Sequence, residues 1–196
     1  MGSYPVFLQI KYFRCLIIGG GRVATRKVHA LLAAGALPVV IAPEITEELR
    51  ALITQNHLEW ICRAYQTGDT IGFDLIVAAT NSAETNGLIR MEAISAKLLI
   101  NDVTDPDGSN FHVPATVCRE PLQMAIGTSG EVPYLSHKIK EYFERKLDAN
   151  IGDEISEIQK RRLNIIEKAA GNELLKKQLL AKEVDPLIER FLNHFV

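Results

Sequence analysis

The stretch Cys15-Leu16-Ile17-Ile18-Gly19-Gly20-Gly21-Arg22-Val23-Ala24 decides the fold. An apolar run leads into a glycine turn, and a helical pattern of Val23, Ala24, Val28, Leu31 and Leu32 follows it. Strand, glycine turn and helix in that order are the context that gives a G-x-G-x-x-[GA] match its meaning, a dinucleotide-binding loop. Gly19 permits the tight turn, Gly21 lets a diphosphate approach the backbone, and Ala24 keeps the helix close to the strand. The free amides of the first helical turn, at Arg22 and Val23, would face the diphosphate, and the helix dipole adds ~0.3–1 kcal/mol of attraction. The competing reading is a glycine turn with no ligand.

Outward from this loop, residues 1–114 alternate between short apolar runs and helical patterns. Strands are expected at 14–18, 38–42, 58–62, 74–79 and 98–101, with helices near 22–34, 46–55 and 84–96. The runs 38–42 and 75–79 are apolar throughout, as parallel strands covered on both faces should be. Thr46 followed by Glu47 and Glu48 reads as a capped helix start. The alternation predicts an α/β fold, a Rossmann-type doubly wound parallel sheet. Then the rhythm changes. Residues 102–114 are a polar loop rich in Asp, Gly, Pro, Ser and Asn, and 121–127 reads as a further strand. Thr128-Ser129-Gly130 reads as a turn, and Pro133 opens a helix to about 147. From about 153 two helices are expected, separated near Gly171. The expected organisation is a Rossmann domain (1–114), a dimerisation and substrate segment (115–150) and a C-terminal helical region (151–196). Apolar residues at 184, 187, 188, 191, 192 and 195 form one helical face that needs cover from its own chain or a partner.

Composition narrows the class. Of 196 residues 47% are hydrophobic, enough for a packed core, and the formal net charge of -2 offers no basic field for nucleic acid. No apolar run approaches 20 residues and no N-terminal signal pattern is present, so a soluble, cytoplasmic protein without membrane contact is expected. Cys15, Cys62 and Cys118 make neither a disulfide framework nor a zinc knuckle, and Cys15 reads as a small core residue.

The candidate site residues lie where strands end. A ribose-binding acid is normally found roughly 20 positions beyond the fingerprint. Here the second strand closes on Ile41-Ala42-Pro43, and Glu44 is the nearest acid. Pro43 and Glu44 are the candidate ribose contacts, with a helix-proximal acid in a polar loop as the competing reading of Glu44. The absence of Lys or Arg there favours NAD over NADP, although Arg22 could still reach a phosphate. Thr80 and Asn81 close the fourth strand, where ligands of such sheets lie, although Asn81 or Ser82 could instead cap the next helix. The fifth strand closes on Asn101-Asp102-Val103-Thr104-Asp105-Pro106-Asp107. Its carboxylates are candidates for general acid/base work, with turn-forming Asx chemistry as the competing reading. His112 is the neighbouring histidine, and no metal cluster is assigned. Tyr134 and Lys138 match the Tyr-x-x-x-Lys pair of short-chain dehydrogenases, yet they read as surface residues of a helix.

Taken together these motifs resemble the precorrin-2 dehydrogenase family of siroheme synthesis. The resemblance is carried by Pro5-Val6-Phe7-Leu8, by 19–27 with its Thr25-Arg26-Lys27, and by Val40 to Glu44. It continues in Ala78 to Asn81, Asn110 to Ala115, and Ile126 to Gly130 with Pro133, so it covers nearly all of the chain to about 147. It implies oxidation of precorrin-2 to sirohydrochlorin with NAD as hydride acceptor, and a homodimer built through the segment after 114. It also implies an essential Asp shortly after the strand-five Asn. This sequence has Thr104 at the matching position, flanked by Asp102 and Asp105, so Asp105 is the first candidate and Asp102 the second. The family's Ser/Thr-Ser-Gly loop falls on Thr128-Ser129-Gly130, which with His112 gives the substrate-side set. Arg119, His137, Lys138 and Lys140 would rim a cleft for a many-carboxylate substrate. Iron insertion, which some members perform, is left unassigned, and no counterpart of the methyltransferase domain of larger siroheme synthases is expected. A non-enzymatic NAD-sensing Rossmann module is the alternative.

Overall fold

The run Cys15–Ile18 has no polar side in the sequence and none in the fold. In the computed structural model, which describes residues 4–128, 130–148 and 150–195, it forms β1 (Cys15–Ile18), and all four side chains are buried. Strands β2 (Val39–Ile41), β3 (Trp60–Ile61), β4 (Leu75–Ala78) and β5 (Leu99–Asp102) join it in a parallel sheet of order β3-β2-β1-β4-β5. The order reverses between β1 and β4, which is where such sheets bind ligands. Helix α1 (Arg22–Ala33) follows the glycine loop, α2 (Glu47–Asn56) follows β2, and α3 (Ala83–Ser95) joins β4 to β5. Thr46 caps α2 as expected, accepting from the Leu49 amide at 3.2 Å.

Alternation along the strands sends side chains into two separate cores. Cys15, Ile17, Val40, Leu75 and Val77 pack against Ala24, Val28 and Leu31 of α1 and Leu49 of α2. Leu16, Ile18, Ile41, Ile76, Ala78 and Ile100 pack against Ile89 and Ala93 of α3. Covering both faces is what makes β1 and β4 apolar throughout. Cys15 is one of these core residues, and burial, with the charge of Asp74 next, pushes its thiol up to about 11.

The chain divides after Val113 into two compact units. The second begins with a hairpin of β6 (Ala115–Arg119) and β7 (Leu122–Ile126), antiparallel, with Val117 opposite Met124. Sequence reasoning missed β6. Helices α4 (Pro133–Lys146), α5 (Ile151–Ala169), α6 (Glu173–Glu183) and α7 (Asp185–Leu192) follow. Three helices therefore stand where two were expected after about 153. The extra break falls at Val184, where Pro186 cannot continue α6 and sits instead in the first turn of α7. The C-terminal apolar stripe is largely covered by its own unit. Val184 is buried, and Phe191 and Phe195 pack on the cluster of Val117, Leu147 and Ile151. Ile188 and Leu192 stay exposed.

Candidate functional site

Three loops meet at the carboxyl edge of the sheet, and the glycines show why they can. Gly19 has φ +132°, and a Cβ built on it would lie 2.2 Å from the Ala79 carbonyl oxygen at the end of β4. At Gly20 a Cβ would lie 1.9 Å from the Glu44 carbonyl oxygen, so the loop after β2 leans directly on it. The Thr46 amide donates to the Gly20 carbonyl at 3.0 Å, and the Thr25 hydroxyl reaches both the Gly21 carbonyl and the Thr46 hydroxyl at 3.0 Å. Gly21 is different. It is the N-cap of α1 with ordinary extended backbone, and a Cβ there meets nothing within 4 Å. The protein's own packing gives no reason for glycine at 21. A ligand that approaches the backbone does, and a diphosphate over the first turn of α1 fits that open cradle.

The other cofactor-side candidates lie around this cradle. Arg22 is the first helical residue and is exposed, Val23 is half-buried, and Ala24 is fully buried against the sheet. Pro43 and Glu44 are exposed beyond the end of β2. Arg63, after β3, is held by Asp69 through two hydrogen bonds of 2.7 Å, so its charge is already matched. At the end of β4 the cap left open between Asn81 and Ser82 belongs to Ser82, which accepts from the Thr85 amide at 3.1 Å. Asn81 stays exposed. Thr80 is instead fastened inward by Asn86, a fully buried residue that sequence reasoning did not single out. Asn86 Oδ1 accepts from the Thr80 amide (3.1 Å) and hydroxyl (2.7 Å). Its Nδ2 donates to the Thr80 carbonyl and to the Thr104 hydroxyl, both at 3.3 Å.

Thr104 carries the network on to the acidic loop. Its hydroxyl donates to Asp102 Oδ1 at 2.7 Å, as do its own amide at 2.8 Å and the Asp105 amide at 3.3 Å. Asp102 Oδ2 pairs with Arg90 at 3.3 Å, and Arg90 also binds Asp105. The two aspartates are therefore unequal. Asp102 is 1% exposed and saturated by the turn chemistry that competed with a catalytic role. Asp105 accepts from the Gly108 amide at 3.1 Å, yet its side chain is 45% exposed. Arg90, four residues after Asn86 on α3, was also missed. Its one visible signal is a cation on the helix that precedes the acidic loop.

His112 is exposed in the first unit. Thr128 lies in the second unit, where its hydroxyl is 3.1 Å from that of buried Ser136 and accepts from the Val132 amide at 3.3 Å. Ser129 lies outside the described residues. The expected rim cations are already matched by their own neighbours. Arg119 donates to the carbonyls of Leu147, Cys118 and Glu144, His137 and Lys138 pair with Glu141, and Lys140 pairs with Glu144. Tyr134 is exposed on α4, as a surface residue should be.

Fold and loop define a Rossmann unit that binds a nicotinamide dinucleotide. The family described as "Putative NAD(P)-binding" matches residues 6–115, more than half of the chain, and the chain belongs to it. Siroheme synthase of Chromobacterium violaceum is 39% identical over 152 residues, which are 78% of this chain and 32% of that protein. Siroheme synthase 3 of Aeromonas hydrophila is 36% identical over the same lengths. The chain thus spans about a third of the length of the curated relatives it matches. Among solved structures, "SirC, precorrin-2 dehydrogenase" aligns with a TM-score of 0.74 and 25% identity, covering 97% of this chain and 100% of that one. Among the described residues no helix is long and apolar enough to cross a membrane.

Proposed function

We propose that the protein is an NAD-dependent oxidoreductase that oxidises precorrin-2 to sirohydrochlorin. The observation that carries this reading is the open Gly21 cradle at the switch point, with the strand-four end at Thr80 tied through Asn86 to the acidic loop after β5. Likeness to a precorrin-2 dehydrogenase over 97% of the chain supports it, as do siroheme synthases at 36–39% identity. When bound, NAD supplies the hydride acceptor, so the protein has to hold, orient and manage a proton. Gly19, Gly21 and the first-turn amides at Arg22 and Val23 would hold the diphosphate, with Ala24 keeping α1 close. Thr80 and Asn81 would line the nicotinamide side. Exposed Glu44 beside Pro43 would bind the adenosine ribose and repel a 2'-phosphate, and the commitment of Arg63 to Asp69 also favours NAD over NADP. Asp105 is the group we assign to proton loss, because it is the exposed carboxylate of the Arg90 pair. Asp102 is assigned to holding the loop. Thr128, Ser129 and His112 are the proposed substrate-side residues.

We further propose a homodimer through residues after 114. The hairpin has two strands only, and Val132, Leu135 and Tyr142 of the same unit are exposed. Light scattering should give twice the chain mass at micromolar concentration, and a monomer would refute the dimer. The cytoplasm is the proposed location, in keeping with free Cys15, Cys62 and Cys118. The reaction is tested by mixing enzyme, precorrin-2 and NAD and following the absorbance of sirohydrochlorin together with that of NADH. Equal rates of the two support the reading. NAD binding without either product would leave a sensing module.

A further inference from the structure

Lys27 is a half-buried cation with, among the described residues, one neutral partner. It lies in α1, whose N-terminus stands at the carboxyl edge of the sheet. Side chains on a helix lean toward its N-terminus, so Lys27 reaches toward the edge where ligands bind. There its Nζ donates to Asn101 Oδ1 at 2.8 Å. Asn101 is 8% exposed, lies in β5 directly before Asp102, and donates from Nδ2 to the Phe111 carbonyl at 3.4 Å. The amide is thereby turned so that its oxygen meets the ammonium. Asp102, the neighbouring carboxylate, is committed to Arg90. Among the described residues no carboxylate forms an ion pair with Lys27. Burial, and after it the charge of Arg26, hold Lys27 below the usual lysine range.

An ammonium has three donors, and one acceptor leaves two of them available. A partly desolvated charge without a counter-ion is costly, and the cost falls when an anion arrives. The cations expected to rim the substrate, Arg119, His137, Lys138 and Lys140, already have partners of their own. Lys27 differs from His137, Lys138 and Lys140 in lacking a carboxylate partner, and from Arg119 in having one acceptor where Arg119 has three.

We propose that Lys27, aimed by Asn101, is a carboxylate-binding residue of the substrate site and takes one acid group of the tetrapyrrole. The proposal rests on the precorrin-2 reading for the identity of the ligand. Asn101 acts through Lys27 and is a positioning residue.

Lys27→Met keeps the apolar stem and removes the charge. The KM for precorrin-2 should rise about tenfold, the order expected when one charge-assisted hydrogen bond is lost. The kcat and the Kd for NAD should hardly change, and Lys27→Arg should recover part of the loss. Asn101→Leu should raise KM less than Lys27→Met does. A second measurement is independent of turnover: titration of wild type and Lys27→Met with uroporphyrin, a flat polycarboxylate macrocycle, followed by fluorescence. Weaker binding by folded Lys27→Met, with a gap that closes at high salt, supports the assignment even if no sirohydrochlorin forms, which would fault the reaction alone. Equal binding by the two proteins overturns it. So does a wild type that binds no uroporphyrin, or a Lys27→Met protein whose defect lies in NAD affinity.

Discussion

Gly21→Asp separates what the fold needs from what the cofactor needs. Gly21 has φ -83° and ψ -174°, backbone that any residue adopts, and a Cβ there meets nothing within 4 Å. Helix α1 has no side-chain cap at this position. Aspartate is a favoured N-cap, because its carboxylate accepts from first-turn amides and faces the positive end of the dipole. The helix should gain from a few tenths to about 1 kcal/mol. The same carboxylate occupies the amides a diphosphate would use. One pair of like charges at about 4 Å and an effective dielectric near 20 costs about 4 kcal/mol. Solvent and salt screen an exposed loop, so a loss of about 2.7 kcal/mol, roughly a hundredfold in Kd, is the expected minimum. The variant should therefore melt at or above the wild-type temperature while calorimetry shows little NAD binding. Wild-type affinity in a folded Gly21→Asp protein would refute the diphosphate cradle. A clear drop in melting temperature would refute the claim that glycine at 21 serves the ligand rather than the fold.

Gly20→Ala should act on the fold instead, since its methyl group meets the Glu44 backbone at 1.9 Å, and urea unfolding should report a loss of roughly 3 kcal/mol. An unchanged midpoint would contradict the packing described. Asp105→Ala should lower kcat by at least about a hundredfold with NAD affinity preserved. Asp102→Ala should chiefly destabilise, by roughly 1–3 kcal/mol, because the Thr104 hydroxyl and the Thr104 and Asp105 amides lose their acceptor while Arg90 keeps Asp105. Sirohydrochlorin formation at the wild-type rate in the double alanine variant would remove both carboxylates from the mechanism. Glu92 gives a pH test. Burial pushes its carboxyl up, but hydrogen bonds from Thr70 and Tyr65 and from the Gly68 and Thr70 amides outweigh that and hold it below 4.5. The folded state thus favours the carboxylate, so its contribution is complete above about pH 4.5 and fades as pH falls through the lower folded value. Glu92→Gln should melt below wild type at pH 7, with the gap narrowing as pH falls below about 4.5. A gap independent of pH would exclude this ionisation as the cause.

Much of the first unit was legible in the sequence because its signals are local. An all-apolar Cys15–Ile18 specifies a strand buried on both sides, glycines followed by Val23 and Ala24 specify a turn into a helix, and Thr46 specifies a cap. β6 was not legible. Its five residues lie between Pro114 and Pro121, and two of them, Thr116 and Cys118, are exposed, so the strand depends on its pairing with β7. The break at Val184 left a readable mark in Pro186, which the sequence reading did not use.

The candidate site divides along the same line. The glycine loop, the resemblance to precorrin-2 dehydrogenases and the strand-end positions of Thr80, Asn81 and the aspartates come from neighbouring residues, whose spacing a chain carries whether folded or not. Tertiary structure decided which glycine the packing requires, because Gly20 meets Glu44 only when β1 and β2 lie side by side, while a Cβ at Gly21 meets nothing within 4 Å. It also made Asp102 and Asp105 unequal through Arg90, and it left Lys27 with Asn101, 74 positions away, as its partner. Burial and the matching of charges depend on contacts between segments distant in the chain, and those contacts exist only after the sheet has ordered its strands.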